Sequence, residues 1–230
     1  MKRALPVILS ALVLLVGCKT DNDKADSGVG ASATSVAHDT AHSAAADTRP
    51  LLICFGDSIT AGYGIESGLT YPQQLQQKLD HDGFSYRVAN AGVSGNTTKD
   101  GVDRVARIIA RHPQVVVVEF GGNDALRGLP LEQTQTNLAS IVGQLQAAHI
   151  DVAIAGITIP PDYGKQYVSR FDAIFPAVAK RYNVPLLPFV LQGVYGVPGS
   201  IQQDGIHPTA QGAVQVAANV EALIKPLLKR

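Results

Sequence analysis

Along the chain, apolar residues gather in five short runs, near 51–55, 86–90, 115–120, 151–156 and 184–187. Each has the length of a strand, and the stretches between them change to helical spacing. Leu75 and Leu79 stand four apart; Val102, Val105, Ile108 and Ile109 repeat at three-to-four spacing, as do Leu138, Ile141, Val142 and Leu145. Such stripes put apolar side chains on one helix face, so they predict core-facing helices between the strands. A last helix is expected over about 209–228, with Val216, Val220, Leu223 and Leu227 on one face and Pro208 in its first turn. Short strands alternating with helices argue for a parallel sheet covered on both faces, because each parallel connection must cross over a face. In open sheets of this kind, sites form outside the carboxyl ends of the strands.

The beginning of the chain follows another pattern. Met1-Lys2-Arg3 leads into a run rich in Leu, Val and Ala that reaches Val16 and ends at Gly17-Cys18, with the charged, apolar and small-residue regions of an export signal. The run is shorter than the roughly 20 residues that a bilayer-spanning helix requires. Leu15-Val16-Gly17-Cys18 resembles a bacterial lipobox. That resemblance implies removal of residues 1–17 and lipid on the new N-terminal Cys18; a plain signal peptide with an incidental cysteine is the alternative. The rest of 18–49 is mostly Ala, Ser, Thr and Asp, too poor in large apolar side chains to offset chain entropy, and is expected to be a flexible tether. His38 and His42 stand four apart in it and read as solvated histidines. Residues 50–230 make one domain, long enough to bury about 70% of its unfolded surface.

The formal net charge of 0 becomes −2 once Lys2 and Arg3 leave with a signal that holds no acid. No basic stripe appears in the remainder, so nucleic acid is not an expected partner. With Cys18 taken by lipid, Cys54 stands alone within an apolar run, where it is expected to be a buried, unreactive thiol outside any disulfide.

Candidate chemistry falls at the ends of the apolar runs. Gly56-Asp57-Ser58-Ile59-Thr60 closes the first run on a serine, and Asp204-Gly205-Ile206-His207-Pro208 places a carboxylate three residues before a histidine. Ser58, His207 and Asp204 therefore offer a nucleophile, a base and a group that orients the base. Between them lie Ala91-Gly92-Val93-Ser94-Gly95-Asn96-Thr97, a small-residue loop, and Glu119-Phe120-Gly121-Gly122-Asn123-Asp124, which follows Val115–Val118. Read singly, Gly95 fits a turn and Asn123 a helix cap. In this order with Ser58 and His207, the backbone N–H groups of Ser58 and Gly95 and the amide of Asn123 are the donors available to a developing oxyanion. Asp124 either steadies its own turn or reaches another loop. His81, His112 and His149 have no motif around them and read as surface residues.

Those four blocks resemble the SGNH hydrolase family, also called GDSL esterases, over roughly residues 50 to 225. Its four named residues fall on Ser58, Gly95, Asn123 and His207, with Asp204 completing a triad; Ile59 replaces the leucine of the family name, a swap of similar volume. Gly121–Gly128 and Ile159-Pro160-Pro161-Asp162-Tyr163-Gly164 are similar to the periplasmic acyl-CoA thioesterase, lysophospholipase and arylesterase branch. The resemblance implies a flavodoxin-like α/β fold, a three-layer α/β/α sandwich around a parallel sheet of about five strands. It also implies that Ile159, Pro160, Pro161 and Tyr163 cover the acyl chain of a fatty ester or thioester.

The expected enzyme is a serine hydrolase needing no metal or cofactor, because the chemistry above is complete without one. The chain lacks HExxH and the GxSxG turn of α/β-hydrolases. Its expected partners are a small acyl ester or thioester and, through Cys18, a membrane; a monomer facing the periplasm, on the outer membrane rather than the inner, is the expectation. A carbohydrate O-acetyl esterase would use the same residues with a smaller acyl pocket, and the Pro160–Gly164 match argues against it. A non-catalytic surface lipoprotein would have lost its nucleophile or base, and both are present.

Overall fold

The computed structural model describes residues 47–230. The expected export signal, Cys18 and nearly all of the tether lie outside the described residues. Five parallel strands form one sheet: β1 (Leu51–Gly56), β2 (Arg87–Asn90), β3 (Val115–Glu119), β4 (Asp151–Ala155) and β5 (Leu186–Leu187). Their order across the sheet is β2-β1-β3-β4-β5. Leu52 to Phe55 and Val115 to Val118 are buried on both faces, which is why these central strands read as continuous apolar runs rather than alternating ones. Register follows from their pairing: Ile53 sits between Ala89 of β2 and Val116 of β3.

The helices are α1 (Ser58–Ala61), α2 (Tyr71–His81), α3 (Thr98–Ile109), α4 (Gly122–Leu126), α5 (Leu131–Ala147), α6 (Lys165–Asp172), α7 (Ile174–Tyr182) and α8 (Ala210–Ile224). α2 packs with α8, and α3 with α5, which also meets α7; with the sheet between them these make the three expected layers. The apolar stripes face inward: Leu75, Leu79, Val105, Ile108, Leu138, Ile141, Val142, Leu145, Val216 and Val220 are buried. Each such side chain contributes roughly 1.5–3 kcal/mol of hydrophobic stabilisation.

Boundaries differ from the sequence reading at β5 and at both ends of the last helix, which stops at Ile224 and passes into a 3-10 turn over Lys225–Leu227, with Pro226 in it, instead of running to 228. Pro185 and Pro188 bracket β5 and supply no N–H to a ladder, so that strand is two residues long instead of covering 184–187. Pro208 is not in the first turn of α8: Thr209 is the N-cap, its side chain accepting from the Gly212 N–H at 3.2 Å. Pro208 instead bridges Ile201 in an antiparallel pair one residue outside the helix.

From β1 the chain crosses to β2 on one side and then to β3 on the other. This reversal opens a crevice at the carboxyl ends of β1 and β3.

Candidate active site

At the end of β1, the Asp57 carboxylate caps α1 by accepting the Ile59 N–H at 3.1 Å. The cap starts the helix at once, so Ser58, its first residue, projects from a tight strand-to-helix turn. Its Oγ lies 2.8 Å from His207 Nε2. His207 comes from the loop before α8, where Asp204 does two jobs. Its Oδ1 accepts the backbone N–H groups of Ile206, at 2.9 Å, and His207, at 3.1 Å, which folds the loop on itself. Its Oδ2 meets His207 Nδ1 at 2.7 Å.

Partial burial pushes the Asp204 carboxyl up, but the Ile206 N–H, the imidazole and the His207 N–H together outweigh it and hold the group below the usual carboxylate range. An ionised Asp204 keeps a proton on Nδ1 and turns the Nε2 lone pair toward Ser58, the tautomer that can take the serine proton. The loop is anchored from outside as well. Gln202 donates its N–H to His207 O at 2.8 Å and its amide to Tyr63 O at 2.7 Å and Pro208 O at 2.8 Å, and the Tyr63 ring lies 4.7 Å from the imidazole, centroid to centroid.

The third side of the site is the loop after β2, held by α4. Asn123 donates its amide to Asn96 O at 2.9 Å and to Asp57 Oδ2 at 3.2 Å, while Arg127 donates to Gly95 O at 2.7 Å. Gly95 has φ +82° with nothing but Arg127 Nη2 near where a Cβ would stand, so the backbone conformation rather than space requires glycine there. Asp124 reaches the other loop: its buried carboxylate accepts the Thr98 N–H at 2.8 Å and the Thr98 hydroxyl at 2.5 Å, fixing the start of α3. Asn123 and Asp124 of α4, with Arg127 at its C-cap, thus hold the loop that carries Gly95.

Ser58, Gly95, Asn123 and His207 line one cleft of about 250 Å³, whose remaining wall is largely apolar, with Leu126, Ile157, Ile159, Pro160, Leu191 and Ile206. Of the four residues assigned to an acyl chain from sequence, Ile159 and Pro160 line this cleft, and Pro161 and Tyr163 do not. The chain turns away at Pro160 into a 3-10 turn, Pro161–Tyr163, which directs Tyr163 outward to stack at 6.4 Å on Tyr167. Leu191, Tyr195 and Ile206, which the sequence reading did not assign, line the cleft in their place.

Two carboxyl groups beneath Ser58 were also without a role in the sequence reading. Asp57 is 3% exposed, and burial pushes its carboxyl up to about 6 even though it accepts from Ile59 and Asn123. Glu119 is wholly buried, and that burial, with Asp57 nearby, raises its carboxyl well above the usual range. Burial likewise pushes the Cys54 thiol up to about 12, keeping it protonated and inert. His81, His112 and His149 are exposed. Among the described residues, no three His, Cys, Asp or Glu side chains converge to hold a metal ion.

Residues 54–214 match the model of the GDSL-like lipase/acylhydrolase family. The chain is 41% identical over 178 residues to "Esterase TesA" of Pseudomonas aeruginosa, covering 77% of this chain and 89% of that one. It is 37% identical over 190 residues to "Thioesterase 1/protease 1/lysophospholipase L1" of Escherichia coli K12, covering 82% and 88%, and 34% identical over 187 residues to "Arylesterase" of Vibrio mimicus, covering 80% and 94%. A crystal structure of TesA superposes with a TM-score of 0.75 at 41% identity, over 77% of this chain and 99% of that one.

Proposed function

The chain belongs to the GDSL-like lipase/acylhydrolase family and is a serine hydrolase of carboxylic esters; from that premise we propose that it cleaves fatty acyl esters and thioesters through an acyl-enzyme on Ser58. Aryl esters, lysophospholipids and, as the thioester, acyl-CoA are the proposed substrates, because the relatives are named as an arylesterase and as a thioesterase and lysophospholipase and the cleft beside Ser58 is apolar. The observation that carries the reading is the relay of Asp204 Oδ2 to His207 Nδ1 at 2.7 Å and His207 Nε2 to Ser58 Oγ at 2.8 Å.

The steps follow from that geometry. Ser58 Oγ attacks the acyl carbon as its proton passes to His207 Nε2, and the carbonyl π electrons move onto oxygen. The N–H groups of Ser58 and Gly95 and the Asn123 amide are the proposed donors to that oxyanion. Its collapse breaks the bond to the alcohol or thiol, which leaves with the proton from His207. Water then repeats the sequence, giving its proton to His207 and its oxygen to the acyl carbon; the bond to Ser58 Oγ breaks as His207 returns a proton to that oxygen, and the carboxylic acid departs.

We further propose that Cys18 carries lipid and holds the enzyme at a membrane, facing the periplasm from the outer membrane, where acyl substrates are at hand. No described helix is long and apolar enough to cross a bilayer.

Trapping the intermediate tests the reaction. The full chain, mixed with p-nitrophenyl octanoate and quenched within the first turnover, is expected to show an octanoyl group on the peptide bearing Ser58, and Ser58→Ala is expected to show neither adduct nor turnover. An adduct elsewhere, or full activity in the alanine variant, sinks the assignment.

A further inference from the structure

Glu119 ends β3 directly below the turn that carries Ser58, and its placement is unusual for a carboxylate. The side chain is wholly buried and takes part in no ion pair among the described residues. One oxygen, Oε2, accepts the Thr60 hydroxyl at 2.8 Å and the Asp57 N–H at 3.4 Å. The other, Oε1, is buried with no hydrogen-bond partner. An ionised carboxylate calls for donors on both oxygens, and leaving one bare in apolar surroundings costs far more than leaving a neutral acid there. An oxygen toward which no donor points is the one able to carry a proton.

We propose that Glu119 is held as a neutral carboxylic acid and is a positioning residue, fixing Ser58 against Asn123 through Thr60 and Asp57. The ionisable groups around it are Cys54 of β1, Asp57 of the turn, Tyr71 of α2, whose hydroxyl meets Thr60 Oγ1 at 3.1 Å, and Arg104 of α3. Arg104 gives its Nη1 and Nη2 hydrogen bonds to Ala91 O and Gly56 O, each at 3.1 Å; its buried Nε has no partner, and none of its donors bonds Glu119. Beside a second buried carboxyl, ionising Glu119 would add like-charge repulsion to desolvation, and both act to keep its proton in place.

The positioning follows from which elements the acid joins. Thr60 and Asp57 flank Ser58, whereas Glu119 stands four residues before Asn123 on the segment that leads into α4. Asp57 then returns from the serine turn to accept Asn123 Nδ2 at 3.2 Å, so the two chain segments are joined twice around the reacting centre. The space is filled to contact. A Cβ on Gly56 would stand 2.1 Å from Thr60 Oγ1 and 2.7 Å from Glu119 Oε2, so only glycine lets the acid reach the turn.

The kinetic half of this inference rests on the reading of Ser58 as nucleophile; the protonation half does not. Infrared difference spectra of the full chain, wild type minus Glu119→Gln at pH 7, are expected to show the C=O stretch of a protonated acid lost in the variant. Carboxylate bands in its place would overturn the proposal. Glu119→Gln, which keeps a neutral acceptor of the same shape, is expected to hold kcat within about threefold, while Glu119→Ala is expected to lower kcat by about 10² with KM little changed, the scale of a misplaced reacting group. Full kcat in Glu119→Ala, or a loss in Glu119→Gln as deep as in Glu119→Ala, overturns the positioning role. Should the alanine variant fail to fold, the infrared signature and the glutamine variant still decide. Loss of the acyl adduct on Ser58 in wild type would count against the reaction and leave the infrared result standing.

Discussion

Asn123 gives its side-chain amide to Asp57 Oδ2 at 3.2 Å and to Asn96 O at 2.9 Å, which engages both of its N–H groups, so as the donor proposed for the oxyanion it turns or shares the longer bond, the one to the residue that precedes the nucleophile. Replacing Asn123 by Ala is therefore expected to lower kcat by about 10²–10³ with a small change in KM, the cost of one lost oxyanion donor. Steady-state kinetics on one aryl ester decide it, and a loss confined to KM would move Asn123 from the reacting centre to the binding wall.

The buried carboxyls set a second expectation, for stability. Glu119 has a folded-state pKa raised above its unfolded value, chiefly by burial. A group raised in this way adds stability below its unfolded value and loses it as pH climbs toward the folded one, because the folded state keeps a proton that the unfolded chain releases. Asp57, pushed up to about 6, acts in the same direction over a shorter window. Above about pH 5, wild type is expected to lose stability relative to Glu119→Gln by up to about 1.4 kcal/mol per pH unit for the one proton involved, until the pH reaches the raised folded-state value. Urea unfolding at four pH values measures this. Parallel curves for the two proteins would show that the Glu119 proton is not linked to folding.

The sequence made the sheet and the four blocks that meet at the cleft readable for a physical reason. Central parallel strands are buried on both faces, so 51–55 and 115–118 stood out as unbroken apolar runs, and Ser58, Gly95, Asn123 and the Asp204 to His207 pair each lie in a short local block. Glu119 gave no such signal. It sits one residue past four valines and could be read only as a strand end, since its meaning comes from Thr60 and Asp57, about sixty residues earlier in the chain. Pro161 and Tyr163 stand outside the cleft for the converse reason: proline stiffness is legible in the sequence, but the direction of the 3-10 turn that carries them away from the cleft is not. Leu191 and Tyr195, on an irregular loop without periodicity, offered nothing to assign.

Attachment to a membrane is expected to depend on Cys18 alone. On the proposed lipidation, wild-type protein should fractionate with membranes and carry lipid on its N-terminal cysteine, whereas Cys18→Ser should be released or keep its signal. Mass spectrometry of the N-terminal peptide in both fractions is the measurement. A soluble wild-type protein with an unmodified Cys18 would remove the lipoprotein reading without touching the hydrolase.

The composition of the cleft bears on which esters are preferred. Ile157, Ile159, Pro160, Leu191 and Ile206 present apolar surface next to Ser58 and His207, so each methylene that enters should favour the transition state by up to ~0.8 kcal/mol until the space is filled. Across p-nitrophenyl esters from acetate upward, kcat/KM is expected to rise by a steady factor per methylene and then level off. Leu191 is buried in that wall, and Leu191→Ala should flatten the rise while sparing the acetate, whose acyl group is too short to reach it. Tyr163→Ala makes the opposite control: its ring stacks on Tyr167 outside the cleft, so the chain-length profile should be that of wild type. If Tyr163→Ala flattens the profile and Leu191→Ala does not, the acyl chain runs over the 3-10 turn at Pro161–Tyr163, and the wall at Leu191 serves some other part of the substrate.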